Sequence, residues 1–316
     1  MDVIERTIFE QFEFWNARTQ LPTRARPAVD YVVVGCGSSY NLAMSIAAHC
    51  NEKGFNAIAV PSHEWLSRPR SYKPDPADCQ VIAVSRSGET SELVQAARKS
   101  RTEGLTVIAI TCDDASSLVG TSDCLLAMRT HPEEGIVMTA SASLMLMLGL
   151  RFAGIETEGG AGPAEALLKQ LDRQDWSFLA ERSHFIYLGG GALYGIAAEG
   201  ALKLQEMSLT VTQTYHPLEY RHGPVSLVDE RSLAVMLYNP DTREDEERLA
   251  AELSAKAAFV VGFGGAGDLS LPIEGPAELR GLVCLPALQL MGLRLAQRRG
   301  IDATAPRHLT KVVKLD

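Results

Sequence analysis

The sequence has little that would suit a nucleic-acid, membrane or metal protein. Lysine and arginine total 30 against 39 aspartates and glutamates, a formal net charge of −9. With no basic stripe to offset that charge, a nucleic-acid binder is excluded, and any anionic ligand must be held locally. The six cysteines (Cys36, Cys50, Cys79, Cys112, Cys124 and Cys284) include no CxxC pair and no Cys/His cluster at zinc-ligand spacing. Most lie in apolar runs such as VVVGCG and GLVCLP, which predicts buried, reduced thiols and no metal site. No stretch of about 18 apolar residues is free of polar breaks, so no membrane span is expected. The amino terminus carries Asp2, Glu5 and Arg6 and is not a signal peptide. The cytoplasm is the expected location. No GxxxxGK[ST] occurs, and GCGSSY lacks the third glycine of GxGxxG, so neither a nucleotide P-loop nor a dinucleotide site is predicted.

What is present is globular material: 316 residues, 46% hydrophobic and 22% charged, enough for two domains. Two stretches repeat each other. Residues 30–43 read DYVVVGCGSSYNLA and residues 184–197 read HFIYLGGGALYGIA. Gly35 aligns with Gly189, Gly37 with Gly191, Tyr40 with Tyr194 and Ala43 with Ala197. Each is an apolar run, a glycine turn and a helical pattern, the opening of an α/β unit. A spacing of 154 residues is too long for a solenoid and points to a duplicated domain. Further strands are predicted at 56–60, 79–85, 105–111 and 124–128, then at 211–216, 233–238 and 257–263. Helices are predicted at 89–103, 138–152, 194–207, 242–256 and 283–298. Alternating short apolar runs and helices imply parallel sheets covered on both faces. The segment IETEGGAGPAEALLKQ reads as a linker into a helix, giving domains at 1–155 and 156–316 with the boundary near 155–180.

Four constellations bear on chemistry. SRSGET, residues 85–90, follows a strand and precedes a helix. Ser85, Ser87 and Thr90 surround Gly88 at a helix start, which suits a phosphate, and Ser39 can reach the same place from the neighbouring turn. Ordinary N-capping is the competing explanation, but it accounts for one hydroxyl rather than three beside Arg86. In AAEGALKLQEMS, residues 197–208, Glu199, Lys203 and Glu206 share one face of an otherwise apolar helix. Such a helix is buried, and buried charges need partners; the alternative is a solvated Glu–Lys stripe. His222 lies in a Gly-Pro turn of EYRHGP, and Lys311 in the tail PRHLTKVVKLD; alone, each would more often be structural or solvated.

Taken together, GCGSSY, SRSGETSE, EGALKLQE, EYRHGP and APRHLTK resemble the sugar-isomerase (SIS) family, in particular the isomerase half of glucosamine-6-phosphate synthase, over nearly the whole chain. The resemblance implies two tandem SIS domains, each a flavodoxin-like three-layer α/β/α sandwich with a parallel sheet. It implies that Ser39, Ser85, Ser87 and Thr90 hold a sugar 6-phosphate and that Glu206 shuttles a proton between C1 and C2. It further implies that His222 assists ring opening, in that family often from the partner subunit, and that Lys311 engages the open-chain carbonyl. Lys203 then lines the pocket, with Val137 and Glu199 among the substrate-contacting positions. A homodimer with sites near its interface is expected, and no cofactor or metal is required.

Two departures matter. Asp2 stands where the synthase's glutaminase domain has its nucleophilic cysteine, and the repeat begins by residue 30. The expectation is therefore isomerisation or deamination of a sugar phosphate, as in stand-alone SIS deaminases and AgaS-type isomerases. Arg86 stands where the synthase loop usually has glutamine. A fixed cation strengthens phosphate binding or suits a 6-sulfonate of the sulfoquinovose type. A fructosamine-phosphate deglycase and a non-catalytic sugar-phosphate sensor are the other readings.

Overall fold

The computed structural model describes residues 2–16, 29–73, 75 and 77–314. The chain opens with two short helices, α1 (Val3–Phe9) and α2 (Phe12–Trp15). The first repeat follows as β1 (Asp30–Gly35), α3 (Ser38–Glu52), β2 (Asn56–Pro61), α4 (Ser62–Ser67), β3 (Gln80–Ser85), α5 (Ser91–Thr102), β4 (Thr106–Thr111), α6 (Ser117–Gly120), β5 (Cys124–Ala127) and α7 (Ala140–Phe152). The second runs α8 (Ala161–Asp172), β6 (His184–Gly189), α9 (Ala192–Ser208), β7 (Thr212–Tyr215), β8 (Ser232–Leu237), α10 (Arg243–Ala255), β9 (Phe259–Phe263), β10 (Leu269–Leu271) and α11 (Arg280–Arg298).

Each repeat builds one five-stranded sheet, parallel at every pairing, in the orders β2-β1-β3-β4-β5 and β7-β6-β8-β9-β10. Both are the doubly wound 2-1-3-4-5 order, so the predicted α/β class and its flavodoxin-like topology hold. β1, β3 and β4 are buried along nearly their whole length, as strands covered on both faces must be. This is why they read as unbroken runs of Val, Ile and Ala. The repeat also survives as geometry. Gly37 and Gly191 cap α3 and α9 with nearly identical backbone angles, φ 53° and ψ −125° against φ 54° and ψ −128°. These values are open to glycine and strained for other residues.

By their contacts the described residues divide into two compact units that are not contiguous in sequence. The passage from one to the other falls at Gly159; α1 and the stretch Gly135–Val137 belong with the second repeat, and the tail from Thr310 belongs with the first. Observed strand and helix ends lie within a few residues of the predicted ones. β7 starts at Thr212 rather than 211, leaving Val211 exposed. α11 starts at Arg280 and carries Pro286 through its interior, whereas the sequence pattern begins at 283. With its preceding turn, α11 (Ala277–Arg298) is long and apolar enough to cross a bilayer, against the expectation of no such segment. Of its apolar 18-residue window 89% is buried, as in a core helix. It packs on α9, where a Cβ on Gly292 would come within 3.0 Å of the Lys203 carbonyl. Arg294 pairs with Glu5 of α1 and Asp172 of α8 and ties both to it.

Candidate functional site

In the first unit the loop after β3 is shaped by its own hydroxyls. Ser85 Oγ accepts from the Gly88 N–H at 3.0 Å, and Ser87 Oγ from the Glu89 N–H at 3.2 Å. Accepting leaves each hydroxyl hydrogen available to a ligand. Gly88 has φ +61°, and a Cβ there would lie 2.0 Å from Ser116 Oγ, so glycine is needed for both conformation and space. Thr90 is the N-cap residue of α5, yet its side chain makes no capping hydrogen bond. N-capping therefore does not explain these hydroxyls. β1 and β3 are neighbours in the sheet, and the order reverses between them. Ser39, buried in the first turn of α3 after β1, and Ser85, at the end of β3, both sit on the carboxyl edge at this switch point. Open α/β sheets bind ligands there.

The C-terminal tail of the chain crosses the same loop. Arg86 is buried and donates from Nη2 to the Lys311 carbonyl at 3.2 Å, and the Ser91 N–H at the start of α5 donates to the Val313 carbonyl at 3.3 Å. Lys311, exposed, donates from Nζ to the Glu134 carbonyl at 2.9 Å. Lys311 and Arg86 are 225 residues apart in sequence and meet here.

In the second unit α9 carries the charged triad. Glu199 and Lys203 are 0% exposed, and Glu206 keeps 18% of its side chain accessible. Lys203 Nζ lies 3.4 Å from Glu199 Oε1 and donates a short hydrogen bond to Glu206 Oε2. Burial works against the ammonium, but the carboxylates of Glu199 and Glu206 and hydrogen bonds to both outweigh it, and the net shift of Lys203 is upward. The stretch is thus no solvated stripe. It is a cation clamped between two carboxylates, only one of which reaches solvent. His222 ends the turn Leu218–Arg221, its N–H bonded to the Glu219 carbonyl and followed by Gly223 at φ +120°. The backbone is fixed, but the ring is exposed and makes no hydrogen bond among the described residues. Val137 is buried.

Residues 27–153 and 178–271 match the SIS domain family. The chain belongs to that family. A crystal structure of glucosamine-6-phosphate deaminase from Thermotoga maritima superposes with a TM-score of 0.84 at 30% identity, covering 99% of this chain and 100% of that one. Tagatose-6-phosphate ketose/aldose isomerase from Escherichia coli gives a TM-score of 0.83 at 23% identity, with 100% and 96% covered; at that identity the likeness speaks for the fold alone. Glutamine–fructose-6-phosphate aminotransferase (isomerizing) from Pseudomonas aeruginosa is 31% identical over 319 residues, covering 90% of this chain and 51% of its own length. The chain spans about half the length of the curated relatives it matches.

Two residues of this SIS chain escaped the sequence reading. Glu134 is 3% exposed, and its carboxylate caps α7 from outside the helix through Thr139 and Ser141. In sequence it is one of two adjacent glutamates in a loop, with partners five and seven residues on, a spacing no helical or strand pattern reveals. Glu246 is buried at the start of α10 and accepts from the Asn239 N–H at 2.8 Å and from Thr242 Oγ1 at 2.9 Å. It fills the loop after β8, the counterpart in the second sheet of residues 85–90. Burial lifts its carboxyl above the ordinary range even though these hydrogen bonds pull the other way. The cysteines answer to the sequence: none of the six forms a disulfide, and burial pushes the Cys50 and Cys284 thiols up to about 12.

Proposed function

We propose that this chain is a cytoplasmic enzyme that isomerises a sugar phosphate, or releases ammonia from an amino-sugar phosphate, through an open-chain enediol or enediolamine. The Glu199–Lys203–Glu206 triad carries the reading. A core helix keeps two carboxylates around one cation at considerable desolvation cost, and only Glu206 has access to a ligand. In this role Glu206 takes the proton from C2 of the open-chain sugar and, as the carboxylic acid, returns it to C1. Lys203 orients the carboxylate and keeps it charged before the first transfer and after the second. With a hydroxyl at C2 the product is a ketose. With an amine at C2 it is a ketimine, which water converts to the ketose and ammonia.

Ser39, Ser85, Ser87, Thr90 and Arg86 hold the terminal anion, with Val137 beside the sugar and Glu199, itself closed off from ligand, acting on it through Lys203. Lys311 faces the carbonyl, where its cation stabilises the oxyanion or its amine forms a Schiff base. His222 passes a proton to the ring oxygen on opening. The full coverage of a deaminase at 30% identity supports this reading over a binding-only sensor. A homodimer belongs to it, supported by the exposed His222 ring and by Leu218 and Leu227 nearby in sequence, 38% and 56% exposed. Arg86 favours a second reading of the ligand, in which the anion is a 6-sulfonate.

The test is a panel of hexose and amino-hexose 6-phosphates with 6-deoxy-6-sulfo-glucose, assayed for ketose and ammonia. Glu206→Gln keeps shape and hydrogen bonding but removes the base, and should lower turnover by about 10²–10⁴ with folding intact. Wild-type turnover in that variant would remove Glu206 from the mechanism.

A further inference from the structure

We infer that Glu134 is a positioning residue, whose side chain locks the peptide that docks the Lys311 ammonium. Four donors converge on Glu134 Oε1: the Thr139 N–H at 2.5 Å and Oγ1 at 3.0 Å, and the Ser141 N–H at 3.1 Å and Oγ at 3.0 Å. Thr130 Oγ1 donates to Oε2 at 2.8 Å, and the Glu134 N–H donates to the His131 carbonyl at 3.1 Å. The carboxylate thus staples residue 130 to the first turn of α7, where the helix dipole favours its charge, and the Glu134 N–H holds residue 131. A residue held this way offers its carbonyl in one orientation only, and that carbonyl receives Lys311 Nζ.

The choice of acceptor matters. A carboxylate acceptor would neutralise the ammonium, whereas a peptide carbonyl orients it and leaves the positive charge uncompensated for an incoming oxyanion. The carboxylate of Glu134 is already committed to hydroxyl and N–H donors. At its other end Lys311 is held through its own carbonyl by Arg86. The lysine is fixed at both ends, and a geometry good to a fraction of an ångström is what positioning contributes to rate. No nearest-neighbour sequence pattern links residues 134 and 311, so the relation is one of fold.

The inference rests on the reading of Lys311 as the group that meets the open-chain carbonyl. Its test therefore has one readout that needs no turnover. In the full chain, the rate of Lys311 acylation by an N-hydroxysuccinimide ester is measured by mass spectrometry relative to exposed Lys256. Glu134→Ala should raise it about three- to tenfold. Glu134→Gln, which keeps Oε1 as acceptor, should stay within about twofold of wild type. If the alanine variant does not fold, Glu134→Asp, which withdraws the carboxylate by one methylene, takes its place with the same expectation. Unchanged Lys311 reactivity in a folded Ala or Asp variant overturns the inference.

The second readout is turnover of glucosamine 6-phosphate. The Ala or Asp variant should lose about 10- to 100-fold in kcat with KM nearly constant, and should lose nothing further in a Lys311→Ala background. Losses that multiply in the double variant mark a merely structural role and overturn the inference alone. If Lys311→Ala itself keeps wild-type turnover, the role given to Lys311 falls, while the acylation rates still report the dock.

Discussion

Replacing Lys203 by methionine removes a cation from between two carboxylates without opening much of a cavity, since the aliphatic stem is nearly kept. The Glu199 oxygen lies 3.4 Å from Nζ. At an effective dielectric of about 20, unit charges at that distance attract by roughly 5 kcal/mol, less what the ammonium loses in desolvation. Without the cation, fully buried Glu199 loses the ammonium beside it, and the expected loss of stability is about 3–5 kcal/mol. The loss should depend on pH. Burial without a cation raises the folded pKa of Glu199 above its unfolded value. The penalty is then present at neutral and higher pH and is relieved as pH falls toward the unfolded carboxylate range. In the parent the folded Lys203 pKa is raised, so its contribution is complete below the unfolded value near 10.5 and is lost only as pH rises through the folded one. Urea unfolding followed by circular dichroism at pH 8 and pH 5 measures both effects, with the larger deficit at pH 8. A variant within about 1 kcal/mol of the parent at pH 8, or a deficit equal at both pH values, would refute the argument.

Three further outcomes follow from the site. Gly88→Ala must adopt φ +61° and displace Ser116, so it should cost about 1–2 kcal/mol from conformation alone and weaken anion binding, read by thermal unfolding and by titration with substrate. Arg86→Gln removes a charge-assisted donor and should weaken binding of the preferred anion by roughly 1.5–3 kcal/mol; calorimetry showing equal affinity would confine Arg86 to holding the tail. Mixed dimers of inactive Glu206→Gln and His222→Ala chains should regain part of the activity if His222 acts across subunits, and hybrids that stay inactive would place each site within one chain.

How much was legible in sequence depended on the range of the interaction. The doubled glycine turn predicted the repeat because Gly35 and Gly189 face the same constraint: a Cβ on either would lie 2.5 Å from backbone of the helix that follows, at the Ser39 or Leu193 carbonyl oxygen. The central strands announced themselves by unbroken apolar runs. β10 did not, since three residues of alternating burial carry too little pattern. The triad was visible as i, i+4, i+7 charges among alanines and leucines, but its clamped arrangement rests on packing against α11, which spacing alone does not give. The placement of the tail with the first repeat was invisible, because it depends on Arg86, Glu134 and Ser91 meeting residues more than 170 positions away.

The carboxylate of Glu246 bears on how the two halves of a duplicated gene come to differ. Both sheets inherit the same crevice at the same reversal of strand order, and symmetry alone would give two equivalent anion sites per chain. In the second half the protein's own Glu246 carboxylate accepts from backbone and hydroxyl donors of the corresponding loop. An arriving phosphate would meet an acidic side chain that already occupies those donors. One acidic residue therefore fills the copied crevice while preserving its architecture, and under the proposed function the second domain contributes its charged helix instead.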